Sequence, residues 1–167
     1  MEGGRRQWVF ARIETDEGVH GWGEGTLEGH ERAVAQAIHD ISIRIDGRDP
    51  TQVERLWQSL YRHGFWKGGP VIGSAISALD QALWDIFGKV TQQPISRLLG
   101  GRYREKIKPY GSLIMLPPDE FSPRLQAAVE RGFNAIKMGW GPFGRESNSM
   151  DEAIVKTARE TVGPDVE

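Results

Sequence analysis

The spacing of apolar residues changes at Gly100-Gly101, and this change limits the chain to a two-part architecture. Before the glycine pair, two short alternating segments are followed by stretches with helical spacing. After it, short apolar runs alternate with helical stretches in the order β-α-β-α, which is typical of a parallel sheet with crossover helices. Two parallel strands cannot cover both of their own faces. We therefore expect the second part to be incomplete by itself.

The first part begins with a predicted β-hairpin. Residues 7–14 and 19–24 are predicted strands, and Thr15-Asp16-Glu17-Gly18 has the composition of a turn. Helices are predicted next over residues 31–45, from a capping box at Asp49-Pro50-Thr51-Gln52, and from Ile72 to near Gly88. The last of these has a second face of alanines, so we expect neighbours on two sides. A short helix over 93–99 completes this part.

The second part is predicted to contain two strand–helix units. Residues 107–115 form the first predicted strand, and the helix behind it is stopped by Gly132. Residues 133–138 form the second strand. Ser149-Met150-Asp151-Glu152 is a predicted capping box for the last helix. At roughly 30 residues per unit, this segment has room for two units only.

Composition excludes several classes of function. The 167 residues include 38% hydrophobic and 26% charged residues, which is typical of a globular protein, and the net charge is -2. That balance gives no electrostatic reason to expect a nucleic acid or membrane partner. Cysteine is absent, so disulfides and thiolate metal sites are excluded. No apolar stretch near the N-terminus is long enough for a signal peptide or membrane span, and a cytoplasmic location is expected.

Some suggestive motifs have structural interpretations. Gly21-x-Gly23-x-Gly25 closes a hairpin instead of opening a βαβ unit, so nucleotide binding is rejected. Glu24 and Glu28 lie close together, but a capping or solvated role is favoured over acid–base work. The histidines lack metal-ligand spacing; they are His20, His30, His39 and His63.

Four motifs in this order resemble the enolase superfamily, in its mandelate racemase and muconate lactonizing branch. They are residues 13–24, 75–86, 98–101 and 132–137, and the resemblance covers residues 8–167. Within the branch the chain is most similar to acid-sugar dehydratases of the galactonate dehydratase kind, through the hairpin and a Gly-rich loop after the second helix.

The resemblance implies an α+β capping domain over residues 1–104, followed by the first two βα units of a (β/α)8-type barrel over 105–167. It implies an Mg2+ ion held by three carboxylates at the ends of the third, fourth and fifth barrel strands. These ligands are expected beyond residue 167, so this chain offers none. The first family strand is expected to be missing or replaced by Met1 to Arg6.

The implied reaction begins with removal of the proton next to a substrate carboxylate, and nearby cations stabilise the enediolate. The family has Lys-x-Lys at the end of the second barrel strand. Lys137 matches the first lysine, which helps to neutralise the carboxylate, but Gly139 replaces the second, which is an acid–base group. The base would then be a His-Asp pair on later strands. Without the resemblance, Lys137 would be interpreted as a surface lysine.

Two Gly-rich loops carry the candidate substrate-binding residues. Phe65, Trp66 and Lys67 match the family loop that closes over the substrate, and Trp140 lies in the loop after Lys137. The alternative interpretations are a helix–helix linker and an ordinary βα loop.

The expected activity is that of an acid-sugar dehydratase acting on a small carboxylate, in a full-length protein that is expected to be a homo-oligomer. A racemase, epimerase or cycloisomerase of the same superfamily is the first alternative. The second is a non-catalytic fragment with a folding or assembly role. The 167-residue chain alone is expected to be inactive.

Overall fold

The computed structural model describes residues 7–62 and 64–167. The chain divides into two compact units, with the boundary between Tyr103 and Arg104. The expectations for residues 1–6 and for His63 lie outside the described residues. The first unit contains β1 Phe10–Glu14, β2 His20–Glu24, α1 Glu31–Ser42, α2 Val53–Arg62, α3 Pro70–Thr91 and α4 Ile95–Leu98. The second contains β3 Gly111–Ile114, α5 Pro118–Glu130, β4 Ile136–Gly139 and α6 Asn148–Val162.

The predicted hairpin is confirmed, and it packs closely against α3. β1 and β2 are antiparallel, with Ala11 opposite Gly23. A Cβ atom at Gly21 or Gly23 would lie 2.0 or 1.8 Å from a backbone oxygen of α3. Only glycine therefore allows this approach of strand to helix. The alanine face of α3 is fully buried, as its small side chains predict; it consists of Ala75, Ala78 and Ala82.

One hydrophobic core holds the first unit together. It combines apolar side chains of β1, α1, α2 and α3. Its most deeply buried large residues include Val34, Leu83 and Ile86. The periodic apolar positions predicted for the three long helices supply most of this core.

Several helix ends in the first unit differ from the prediction, and α1 ends at Ser42 instead of residue 45. The second helix begins at Val53, because the Asp49 carboxylate accepts hydrogen bonds from the N–H and hydroxyl groups of Thr51 at 2.9 and 2.6 Å and organises a turn instead. The third helix continues through Gly88 to Thr91. A Cβ at Gly88 would lie 3.0 Å from the Gln93 carbonyl oxygen, so this glycine serves a close return of the chain.

β3 and β4 pair in parallel, as the β-α-β-α order predicts, with Gly111 opposite Ile136 and Ile114 opposite Gly139. α5 and α6 cover one face of this pair. Leu113, Ile136 and Met138 face that side and pack against the helices. The core of the unit is formed by Met115, Phe121, Leu125, Ile154 and Ala158.

Element boundaries in the second unit are also corrected. The strands are shorter than predicted and begin at Gly111 and Ile136, where each first has a partner strand. The last helix begins two residues earlier than predicted. Ser147 is its N-cap and accepts a hydrogen bond from the Met150 N–H at 3.2 Å, whereas Ser149 lies inside the first turn.

Candidate functional site

Lys137 lies on the face of the parallel sheet that points away from α5 and α6. Its neighbours Ile136 and Met138 pack into the core, whereas Lys137 is exposed, as strand alternation requires. Ser112 lies opposite it on β3. The sequence placed Lys137 at the end of its strand, but β4 continues to Gly139. The ammonium therefore starts from the body of the strand and not from its last residue.

Two aromatic rings contact the Lys137 ammonium. Its Nζ atom lies 5.0 Å from the ring centroid of Trp140 and 5.9 Å from that of Tyr110, both within the range of cation–π attraction. Lys137 and Trp140, which were both predicted as site residues, are thus brought together. Tyr110 was missed. Its only signal was its place immediately before β3, two residues from Ser112 on the same face.

The backbone fixes the position of Trp140. This residue has φ 60, a left-handed conformation that non-glycine residues rarely adopt. The next residue, Gly141, passes so close to β3 that an added Cβ would lie 2.0 Å from the Met115 carbonyl oxygen. Further along the loop, the Gly144 N–H donates to both carboxylate oxygens of Asp151 at 2.9 and 3.1 Å. The loop after β4 is therefore held at both of its ends.

The predicted loop residues Phe65 and Trp66 lie in the first unit and are almost fully exposed, at 89% and 88%. Their rings touch edge to face, with centroids 5.2 Å apart. Lys67 beside them is exposed as well. Among the described residues of the first unit, none covers these side chains, which leaves the pair free to contact a ligand.

The carboxylates of the described residues do not form a metal site. In residues 7–62 and 64–167, no three His, Asp or Glu side chains are grouped so that they could hold a metal ion. Glu24 instead accepts a hydrogen bond from the Thr26 N–H at 2.7 Å. The Mg2+ ion that the resemblance implies does not fit this set of residues.

Asp85 ties the outer edge of β2 to α3. Partial burial raises its pKa, but hydrogen bonds from Lys89 and from the Trp22 N–H outweigh this and lower it overall. Gln81 adds two hydrogen bonds to the Glu24 backbone. This carboxylate is engaged in structure and is not available for catalysis.

The outer edge of β4 carries the start of a further pairing. The Glu167 N–H donates to the Asn134 carbonyl at 3.1 Å, and the Ile136 N–H donates to the Glu167 carbonyl at 2.8 Å. These two bonds have the pattern of a parallel bridge. The edge of β4 opposite β3 is therefore able to accept a parallel strand.

A cavity of about 800 Å³ lies in the first unit, beside β1. Apolar core side chains, including Ile38, Leu83 and Ile86, form part of its lining. Neither Lys137 nor the exposed pair Phe65 and Trp66 borders it. We do not place the substrate site there.

The chain belongs to the mandelate racemase and muconate lactonizing enzyme family. Residues 3–100 match the family description "Mandelate racemase / muconate lactonizing enzyme, N-terminal domain". The chain is 43% identical to D-galactonate dehydratase of Pectobacterium atrosepticum and 42% identical to that of Cronobacter sakazakii. Each match covers 96% of this chain and 44% of the relative, so the chain spans less than half the length of these relatives. The resemblance to acid-sugar dehydratases is thereby confirmed.

Solved structures agree with this assignment. An enolase-superfamily member from Salmonella Typhimurium superposes with a TM-score of 0.86 at 31% identity, over 96% of this chain and 49% of that one. A 3,6-anhydro-D-galactonate cycloisomerase from Zobellia galactanivorans gives 0.85 at 32% identity, over 97% of this chain and 44% of that one. Within the described part of the chain, no helix is both long enough and apolar enough to cross a membrane.

Proposed function

We propose that this chain is the capping domain, residues 1–104, and the first two βα units, residues 105–167, of a (β/α)8-type barrel in an acid-sugar dehydratase. The observation that carries the proposal is Lys137 on the sheet face that α5 and α6 leave open. In a barrel of this type, that face is the interior one, which leads to the active site. The parallel pairing of β3 with β4 and the bonds to Glu167 on the far edge support it.

The proposed role of Lys137 is electrostatic. Its ammonium would bind the carboxylate of the substrate and stabilise the negative charge that develops when the neighbouring proton leaves. No described carboxylate forms an ion pair with Lys137, whereas Lys89 is paired with Asp85 and Lys108 with Glu167. An unpaired ammonium can meet an anionic substrate without first breaking a salt bridge.

The proposed base lies outside β4. Gly139 stands where the family's second lysine would be, and it has no side chain to accept a proton. A His-Asp pair on later strands, as the resemblance implies, would take this role. We also propose that the full-length enzyme uses Mg2+, with its carboxylate ligands beyond residue 167.

The loop of the first unit carries the other proposed substrate contacts. Phe65 and Trp66 have exposed apolar rings, and Lys67 adds a positive charge suited to a sugar-acid hydroxyl or carboxylate. In the second unit, Trp140 beside Lys137 is the proposed substrate contact. The proposed binding partner is then a small molecule that carries a carboxylate. A homo-oligomeric state and a cytoplasmic location belong to this proposal through the family resemblance alone.

An isomerase is the alternative that a specific observation favours. The structural neighbour from Zobellia galactanivorans is a cycloisomerase, and it is as similar to this chain as the enolase-superfamily structure from Salmonella. Racemases, epimerases and cycloisomerases of the superfamily share the first step with dehydratases. The product formed after proton removal separates these reactions.

Lys137→Ala in the full-length enzyme tests the proposal. With acid sugars that include D-galactonate, we expect kcat/KM to fall about 100-fold or more, because a positioned charge is lost from the transition state. Lys156→Ala is the matched control, since Lys156 is an exposed lysine of the same unit with a long contact of 3.8 Å to Glu160. The 167-residue chain should be inactive and should gain no thermal stability from Mg2+.

Full activity of Lys137→Ala would show that Lys137 has no role in the reaction. An isomerised product in place of a dehydrated one would favour the alternative. Absence of any reaction by the full-length protein with Mg2+ and a broad set of acid sugars would leave only a non-catalytic role.

A further inference from the structure

The environment of Lys137 differs from that of two lysines of the second unit that form ion pairs. Lys108 and Lys156 both approach a glutamate, at 2.6 and 3.8 Å. Lys137 instead contacts the rings of Tyr110 and Trp140. A ring attracts an ammonium without neutralising it, whereas a carboxylate would compete with an anionic ligand. The two rings thus restrict the side chain and leave its charge available.

The geometry of Trp140 is built into the backbone. Its left-handed φ of 60 places the residue in a strained region, and strain of this kind persists only where the surroundings enforce it. The close approach of Gly141 to Met115 supplies that constraint. Tyr110, on the other side, immediately precedes β3, whose register with β4 is fixed by the sheet. Both rings are therefore carried by constrained segments.

We propose that Tyr110 and Trp140 form an aromatic clamp that positions the Lys137 ammonium. The main role of Trp140 is then to hold this lysine, and stacking on the substrate is its second role. Lysine has four rotatable bonds, and restricting them in advance lowers the entropy lost when an anion binds. The catalytic value of the clamp rests on the proposed function, but the clamp itself is a property of this chain.

Nuclear magnetic resonance of the 167-residue chain tests the clamp directly. Reductive methylation with 13C-formaldehyde gives each lysine a dimethylammonium signal and keeps its charge. The signal of Lys137, assigned by its loss in Lys137→Arg, should lie upfield of the other lysines because of the two ring currents. Trp140→Leu should return it to the common position, and Tyr110→Leu should move it part of the way.

Matched variants separate ring contact from general disturbance of the loop. Tyr110→Phe keeps the ring and should leave the signal unchanged. Phe143→Leu removes an aromatic side chain of the same loop whose ring is not one of the two over the Lys137 ammonium, and it should also have no effect. A Lys137 signal at the common position in the unmodified sequence, or one that Trp140→Leu does not move, would overturn the clamp. If Trp140→Leu alters the circular dichroism, Trp140→Phe is measured in its place. The phenyl ring should keep the Lys137 signal upfield.

The full-length enzyme distinguishes failure of the clamp from failure of the proposed function. Trp140→Leu should lower kcat/KM about five-fold, mainly through KM, and Trp140→Phe should restore most of the loss. An intact upfield signal together with full activity of Lys137→Ala would reject the proposed function and keep the clamp. A missing upfield signal together with an inactive Lys137→Ala would reject the clamp and keep the function.

Discussion

The two sheets of this chain each have two strands, but they differ in what covers them. The antiparallel hairpin packs its inner face on α3, and side chains of that helix also bind the outer edge of β2. Within the second unit, the described helices cover one face of the parallel pair, and its other face carries Ser112, Ile114 and Lys137. Antiparallel sheets often leave one face in water, whereas parallel sheets are usually covered on both.

The inner face of the hairpin in the first unit is therefore packed, whereas the sheet of the second unit has one face that α5 and α6 do not cover. The first unit satisfies the backbone of β2 internally. The Trp22 and Glu24 N–H groups donate to side chains of α3, and the His20 carbonyl accepts from a third side chain of that helix. In the second unit, Ile114 of β3 is a large apolar residue that remains 53% exposed. The open sheet face with its unpaired lysine suits the second unit to bind a ligand. The complete core suits the first unit to a supporting role.

Leu83→Ala compared with Ile114→Ala should give the largest contrast. Leu83 is 1% exposed in the first core, and its truncation should cost about 4 kcal/mol of unfolding free energy through lost burial and a cavity. Ile114→Ala should cost less than about 1 kcal/mol, because half of that side chain is already in solvent. Urea denaturation followed by tryptophan fluorescence and circular dichroism measures both. Equal losses would mean that something covers the open face.

Asp85→Ala should have an intermediate effect. It removes the acceptor of the Trp22 N–H at 2.9 Å and the ion-pair partner of Lys89 at 2.8 Å, so we expect a loss of about 1–2 kcal/mol. The Trp22 amide should then exchange with solvent as fast as that of Arg12, which points to the outer edge of β1, where no described residue accepts it. Hydrogen exchange by NMR measures this.

The control for Asp85 is Asp40→Ala, which removes an exposed carboxylate that binds only a side chain of its own helix α1 at 2.9 Å. That variant should leave both amides unchanged. If the Trp22 amide stayed protected without Asp85, the edge of β2 would owe its protection to the sheet and not to α3.

The smallest expected effect is a pH dependence with opposite signs at two aspartates of α3. Burial raises the pKa of Asp80 above its ordinary value of 3.8, and the nearby charge of Glu54 raises it further. Its ionisation therefore opposes folding as pH rises through that raised value. Asp80→Asn should be more stable than the original sequence at neutral pH, and the gain should vanish in acid below 3.8.

Asp85 acts in the opposite direction. Burial raises its pKa, but the hydrogen bonds from Lys89 and Trp22 lower it overall, so its contribution is present above 3.8 and is lost as pH falls through the lowered value. Thermal unfolding of the two variants from acid to neutral pH measures both signs. A gain for Asp80→Asn that persists in acid would show that packing, and not charge, is responsible.

Local sequence rules predicted elements well and their ends less well. The hairpin, the alanine face of α3 and the parallel order of β3 and β4 followed from spacing alone. The helix start at Asp49 was wrong because its carboxylate bound Thr51 within a turn. The predicted helix end at Gly88 was wrong because this glycine instead allows the Gln93 carbonyl oxygen to approach closely. No helix signal in the sequence indicates that contact.

Some residues of the candidate site were likewise predicted from the sequence, and one was found only in the structure. Lys137 was identified by its place in a family motif, and Trp140 by its Gly-rich loop. Tyr110 carried no such signal, because its contact with Lys137 depends on the register between two strands separated by a helix.

The sequence by itself determined the elements and their order, because apolar period and turn residues act over a few positions along the chain, and its four motifs indicated the family. Only the tertiary structure decided where strands and helices end and which rings meet the lysine. Those outcomes depend on pairing between distant segments, as where Gly141 passes Met115 and where Gly23 meets Ala78.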